Sequence, residues 1–150
     1  YEARANLMWN AAWAINGFLD MGKPVAWSVH RMEHELSAFY DVTHGVGLAI
    51  LTPNWMRCVL SEKTEDRFAR YGTAVWGLDP ARPRRELAEA AIQKTRDFFT
   101  SLGLPAALSE LGIGPEYFPE MARKARNSGF DRTFVPLSVE DIIHIYQMSL

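Results

Sequence analysis

Apolar residues recur at three- and four-residue steps along most of the chain, the period of helices that bury one face. Residues 2–20 place Ala5, Met8, Trp9, Ala12, Trp13, Ile15 and Leu19 in that rhythm, and Gly22-Lys23-Pro24 predicts the stop. A second helix is predicted over about Val25 to Tyr40, then a break at Asp41-Val42-Thr43-His44-Gly45, then a third helical stretch from Val46 to Leu51. Pro53 falls in that third element and predicts a kink or a first-turn position. Glu65 to Trp76, with Phe68, Ala69, Tyr71 and Val75, reads as another helix, and Gly77 to Pro83 as a loop with two prolines. From Arg85 to Leu102 the pattern is most amphipathic, with Leu87, Ala90, Ala91, Thr95, Phe98, Phe99 and Leu102 on one face, until Gly103-Leu104-Pro105 ends it. Ser138-Val139-Glu140-Asp141 predicts an N-cap and an acidic first turn for a last helix reaching Leu150. No stretch alternates cleanly enough for a strand. The expected fold is an all-α bundle forming one domain over residues 1–150.

Composition supports that reading and narrows the function. With 150 residues and 48% of them hydrophobic, such a chain buries roughly 70% of its unfolded surface. A net charge of −2 offers no global field for nucleic acid or an acidic membrane surface. The single cysteine, Cys58, excludes an internal disulfide framework, fits a reducing, cytoplasmic compartment and is expected to pack as a small apolar residue. No apolar run reaches the roughly 18 residues that span a bilayer, and no signal peptide opens the chain. The five tryptophans are expected mostly in the core. The chain opens at Tyr1-Glu2-Ala3-Arg4, inside a helical pattern and without an initiator Met, as a cut through a longer protein would.

The main chemical signal is a cluster of three of the four histidines, His30, His34 and His44. Imidazole is the commonest transition-metal ligand and titrates near neutrality. His30 and His34 share a helix face at a spacing of four. The run His30-Arg31-Met32-Glu33-His34 fits the H-x-x-E-H pattern of inverted zinc peptidases, in which Glu33 would activate water. The other pairing joins His30 with His44. On one continuous helix these would stand roughly 21 Å apart, so they share a metal only if the chain reverses between them. Asp41-Val42-Thr43 gives the opportunity, and Gly45 and Gly47 permit close backbone approach.

The run from Trp27 through His30, His34 and Ala38, continued by Asp41-Val42-Thr43-His44-Gly45-Val46-Gly47-Leu48-Ala49-Ile50, closely resembles the signature of iron-containing alcohol dehydrogenases. Within that family it is most similar to the NADPH-dependent butanol dehydrogenase branch. The likeness continues through Pro53-Asn54-Trp55-Met56, Val75-Trp76-Gly77, Leu102-Gly103-Leu104-Pro105, Leu108 to Ile113 and Leu137-Ser138, covering essentially the whole chain. It implies the C-terminal helical domain of such an enzyme, without the N-terminal dinucleotide-binding domain. It further implies that His30 and His44 bind the divalent metal, Fe²⁺ or Zn²⁺. By the same likeness His34 lies beside the nicotinamide and substrate and serves catalysis. Trp27, next to the metal helix, is a candidate wall of the substrate pocket. NADP(H) is implied ahead of NAD(H), with a small aldehyde or alcohol as substrate and a homodimer as the full-length assembly.

Two family features are missing from the sequence. The Asp and His four apart that complete the family's metal site do not occur: Asp20 is followed four later by Pro24, and Asp141 precedes His144 by three. No glycine-rich pyrophosphate loop occurs either. The expectation is therefore a part of an enzyme that is inactive alone. A zinc peptidase using His30, Glu33 and His34, or a helical interaction module with structural histidines, are the alternatives. His144 has no family role and is expected to be a surface or packing residue.

Overall fold

The computed structural model describes residues 1–22, 25–130 and 133–150, and its regular elements there are α-helices and two short 3-10 turns, with no strand among the described residues. The all-α expectation holds. The helices are α1 (Glu2–Ile15), α2 (Ser28–Tyr40), α3 (His44–Val59), α4 (Glu65–Trp76), α5 (Arg84–Ser101), α6 (Phe118–Asn127) and α7 (Val139–Met148). Helix α4 has the predicted bounds, and α5 and α7 lie close to theirs. The first helix is shorter than predicted because Gly17 adopts a left-handed φ of 81° and hands over to a 3-10 turn, Phe18–Asp20. Lys23 and Pro24 of the predicted stop lie outside the described residues.

Two elements differ more. Helix α3 begins at His44, inside the predicted break, and runs through Pro53 as an interior residue rather than a first-turn one. Proline removes an N–H from the ladder. Beside the gap Thr52 Oγ1 donates to the Leu48 carbonyl (2.6 Å) and Asn54 Nδ2 to that of Ile50 (3.1 Å). Helix α6 has no counterpart among the predicted elements, although Phe118, Met121, Ala122 and Ala125 fall at helical spacing and are all buried.

Helix α2 packs on α3 and α6, α3 on α5 and α7, α6 on α7, and α4 on α5. Met32 and Leu36 of α2 meet Ile50, Ile92, Met121, Ile142 and Ile145 in one core cluster. Gly72 lets α4 approach α5 closely, since a Cβ there would lie 3.0 Å from Ala91 Cβ and 3.1 Å from the Leu87 carbonyl. The buried stripe of α5 is Leu87, Ala88, Ala91, Ile92 and Thr95. Phe98 and Leu102, expected on it, are exposed, and the Phe98 ring meets Trp76 at 5.8 Å at the surface.

The tryptophans correct the composition-based expectation, because none of the five is buried. Trp9 and Trp13 sit on α1, which has no buried residue, and pack edge-on with each other and with Phe18 instead. Cys58 is half-buried and packs against the core. Its thiol is pushed up by burial and then by Asp141. His144 is exposed on α7. No helix among the described residues is long and apolar enough to cross a membrane.

Candidate metal and catalytic site

The site is built by a reversal between α2 and α3. Asp41, at the C-cap of α2, takes φ 55° and is the one non-glycine residue with positive φ among the described residues. Aspartate tolerates this left-handed conformation better than most residues. The chain turns back over Val42 and Thr43, and α3 starts at His44. The imidazole of His44 thereby returns to the face of α2 that carries His30 and His34.

Ring centroids lie 5.3 Å apart for His30 and His44, 5.4 Å for His34 and His44, and 6.5 Å for His30 and His34. A nitrogen about 2.1 Å from a metal puts its ring centroid about 3.2 Å from the ion. Two rings at a tetrahedral angle on one ion therefore have centroids roughly 5.2 Å apart. His44 meets this condition with either neighbour. His30 and His34, the pair a peptidase needs, stand farther apart, at 6.5 Å. The ligand atoms of Glu33, His34 and His44 also lie within 4.8 Å of one another. The donor set of neutral imidazoles suits Fe²⁺ or Zn²⁺.

His30 is half-buried, and burial, followed by the facing His44 and His34, holds its pKa below the ordinary imidazole value, with Glu33 pulling the other way. That favours the neutral ring a metal requires. Trp27 stands edge-on to His30, with centroids 4.5 Å apart. His34 and His44 are exposed.

Glu33 is fully buried beneath these rings. Its Oε2 contacts His44 Nδ1, and its Oε1 accepts from the Ser37 hydroxyl at 2.7 Å. With both oxygens partnered and no exposure to solvent, Glu33 is poorly placed to activate water, which counts against the peptidase reading. From the sequence, Glu33 has a role only in that alternative. The signal for its actual place is weak: Glu33 and Ser37 are one helical turn apart, and Gly47 is small.

Beside His30 opens a cleft of about 670 Å³ with mainly apolar walls that include Val25, Trp27, Leu48, Trp55, Phe99 and Phe134. Trp27 and His30 both line it.

Residues 1–150 match the family model for the C-terminal part of Fe-containing alcohol dehydrogenases. The chain belongs to the iron-containing alcohol dehydrogenase family. It is 52% identical to the NADH-dependent butanol dehydrogenase A of Clostridium acetobutylicum, over 99% of this chain and 39% of that protein. To the NADPH-dependent aldehyde reductase of Escherichia coli it is 34% identical, over 86% of this chain and 33% of that one. Among solved structures, the NADH-dependent butanol dehydrogenase A of Thermotoga maritima superposes with a TM-score of 0.88 at 31% identity, covering 99% of this chain and 39% of that one. The chain thus spans about two fifths of the length of the iron-containing alcohol dehydrogenases it matches. Its helical architecture is that of their C-terminal domain.

Proposed function

We propose that this chain is the metal-holding helical part of an enzyme that interconverts small aldehydes and alcohols with a nicotinamide dinucleotide, similar to butanol dehydrogenases. The observation that carries the reading is the return of His44 to His30, at a centroid distance suited to one shared ion. His30 and His44 would hold Fe²⁺ or Zn²⁺, with further ligands from outside these 150 residues. When bound, the ion supplies Lewis acidity toward a carbonyl oxygen and the nicotinamide supplies hydride.

The chain's own residues have distinct parts in this reading. His30, whose burial favours the neutral ring, offers a ring lone pair. His34, exposed beside both rings, exchanges a proton between its ring nitrogen and solvent or substrate oxygen. Trp27 and the apolar cleft beside His30 take the alkyl part of the substrate and exclude water from it. Relatives 52% and 49% identical are named NADH-dependent and one 34% identical NADPH-dependent. The cofactor class proposed is therefore a nicotinamide dinucleotide of either kind, in place of the NADP(H) preference that the branch resemblance implied. The homodimer belongs to the same proposal.

The test uses the full-length protein. His30→Ala and His44→Ala are expected to lose bound metal together with butanal reduction. His34→Ala is expected to keep the metal and lose about 10²- to 10⁴-fold in turnover, the usual range for a proton-transfer group. Retention of metal by both of the first two variants would overturn the reading. The 150 residues alone, with half of the expected ligand set, are expected to reduce no aldehyde with NADH or NADPH.

A further inference from the structure

We propose that Glu33 is the positioning residue for His44, fixing its Nδ1 so that Nε2 is presented to the metal; this rests on the reading of His44 as a ligand. A carboxylate withdrawn from water is costly unless its oxygens are bonded. Glu33 is completely buried, and both of its oxygens are engaged, Oε2 with His44 Nδ1 and Oε1 with Ser37 Oγ at 2.7 Å. A neutral imidazole has one N–H. With that proton on Nδ1 and donated to Glu33, the lone pair is left on Nε2, and the ring can no longer rotate freely.

Two neighbours keep the carboxylate in place. Ser37 Oγ stands 2.9 Å from the Val42 carbonyl as well, so the hydroxyl sits between Glu33 and the turn that delivers His44. Gly47, one turn along α3, packs directly on the Glu33 side chain. Glu33 thereby joins the helix carrying His30 to the first turn of the helix carrying His44. Its ligand atom also lies within reach of a metal held by His34 and His44. Both Glu33 oxygens already have a partner, His44 Nδ1 and Ser37 Oγ, and direct coordination by Glu33 is the rival outcome that the experiment separates.

The experiment compares Glu33→Gln, Glu33→Ala, Ser37→Ala and His44→Ala in the full-length protein. It measures Zn²⁺ affinity by chelator competition, the visible absorption of the Co²⁺-substituted protein, and the unfolding midpoint of the metal-free form. Glu33→Gln, which keeps one acceptor oxygen, is expected to weaken Zn²⁺ binding about 10-fold and Glu33→Ala about 100-fold, the range for partners of metal-ligating histidines. The Co²⁺ absorption is expected to keep the intensity of an unchanged ligand number. Ser37→Ala, a milder change, is expected to cost about fivefold, the equivalent of one hydrogen bond, and serves if the Glu33 variants do not fold. Unchanged affinity in the Glu33 and Ser37 variants would make the contact idle. Loss as complete as in His44→Ala would make Glu33 a direct ligand. Either result overturns the proposal while leaving His44 a ligand, whereas full metal retention by His44→Ala would overturn the reading beneath it.

Discussion

The Tyr146 hydroxyl donates a 2.7 Å hydrogen bond to the main-chain carbonyl of Met32, tying the last helix to the one that carries His30 and His34. Tyr146 is fully buried and its ring stacks on Phe118, with centroids 5.2 Å apart. The Met32 carbonyl lies within α2, so loss of the phenol would cost one hydrogen bond without stranding a helix group. Tyr146→Phe is expected to lower stability by about 1 kcal/mol, and Tyr146→Ala by about 3–5 kcal/mol through the cavity it leaves. Urea unfolding of the two variants checks the pair. Equal losses would show that packing contributes little there.

The same phenol gives a pH signature. Burial first, then Glu35 and Glu33, holds its pKa far above the ordinary value, which is about 10 in the unfolded chain. A group whose pKa is raised by folding adds stability that is fully present below the unfolded value and is lost as pH rises beyond it. The stability difference between the parent chain and Tyr146→Phe is therefore expected to stay constant from neutral pH to about 9.5 and to narrow above about 10. Parallel curves through that range would contradict the assignment.

Gly47 has no room for a side chain. A Cβ at this position would lie 2.7 Å from Glu33 Cγ and 2.8 Å from its Oε1. Because Glu33 is wholly enclosed, the strain has no outlet to solvent. Gly47→Ala is expected to cost about 1–3 kcal/mol, as overpacking of a filled site does, although alanine is the better helix former. A gain in thermal midpoint would mean that Glu33 can move aside.

Ser138 and Asp141 form a reciprocal cap on α7. The Ser138 hydroxyl accepts from the Asp141 N–H at 3.1 Å, and Asp141 accepts from the Ser138 N–H at 2.8 Å. Ser138→Ala is expected to lower stability by about 1 kcal/mol and Ser138→Gly by only a few tenths. Thermal unfolding of both variants distinguishes a lost cap from a loss of helix propensity, which would make glycine the worse of the two.

Helix α1 buries none of its residues and leaves Leu7, Met8, Trp9 and Ile15 65–75% exposed. Removing residues 1–16 from the 150-residue chain is expected to change the unfolding free energy of the rest by less than about 0.5 kcal/mol, as for other surface changes. A larger loss in urea titration would show that α1 braces the bundle.

Short-range physics was legible in the sequence. The apolar steps of Phe68, Ala69, Tyr71 and Val75 bounded α4 without knowledge of its neighbour, although Val75 proves exposed and Gly72 takes the buried position. The Ser138 and Asp141 spacing marked the start of α7, and the run Asp41-Val42-Thr43 marked the reversal that lets His44 meet His30. Each of these depends on residues at most a few positions apart. The resemblance carried by His30, His34 and His44 likewise lay in linear order.

Other features depended on what arrives from elsewhere in the chain. Whether an aromatic ring is buried depends on a partner face, and among the described residues α1 packs chiefly on the short turn Phe18–Asp20, so Trp9 and Trp13 stay outside the core that their composition suggested. Glu33 looks by type like a solvated helix residue. It becomes a buried anchor because the reversal at Asp41 brings an imidazole and a glycine from α3 onto it. Periodicity and capping are local and readable. The desolvation of a charge is decided by the groups folded around it, and these appear only in three dimensions.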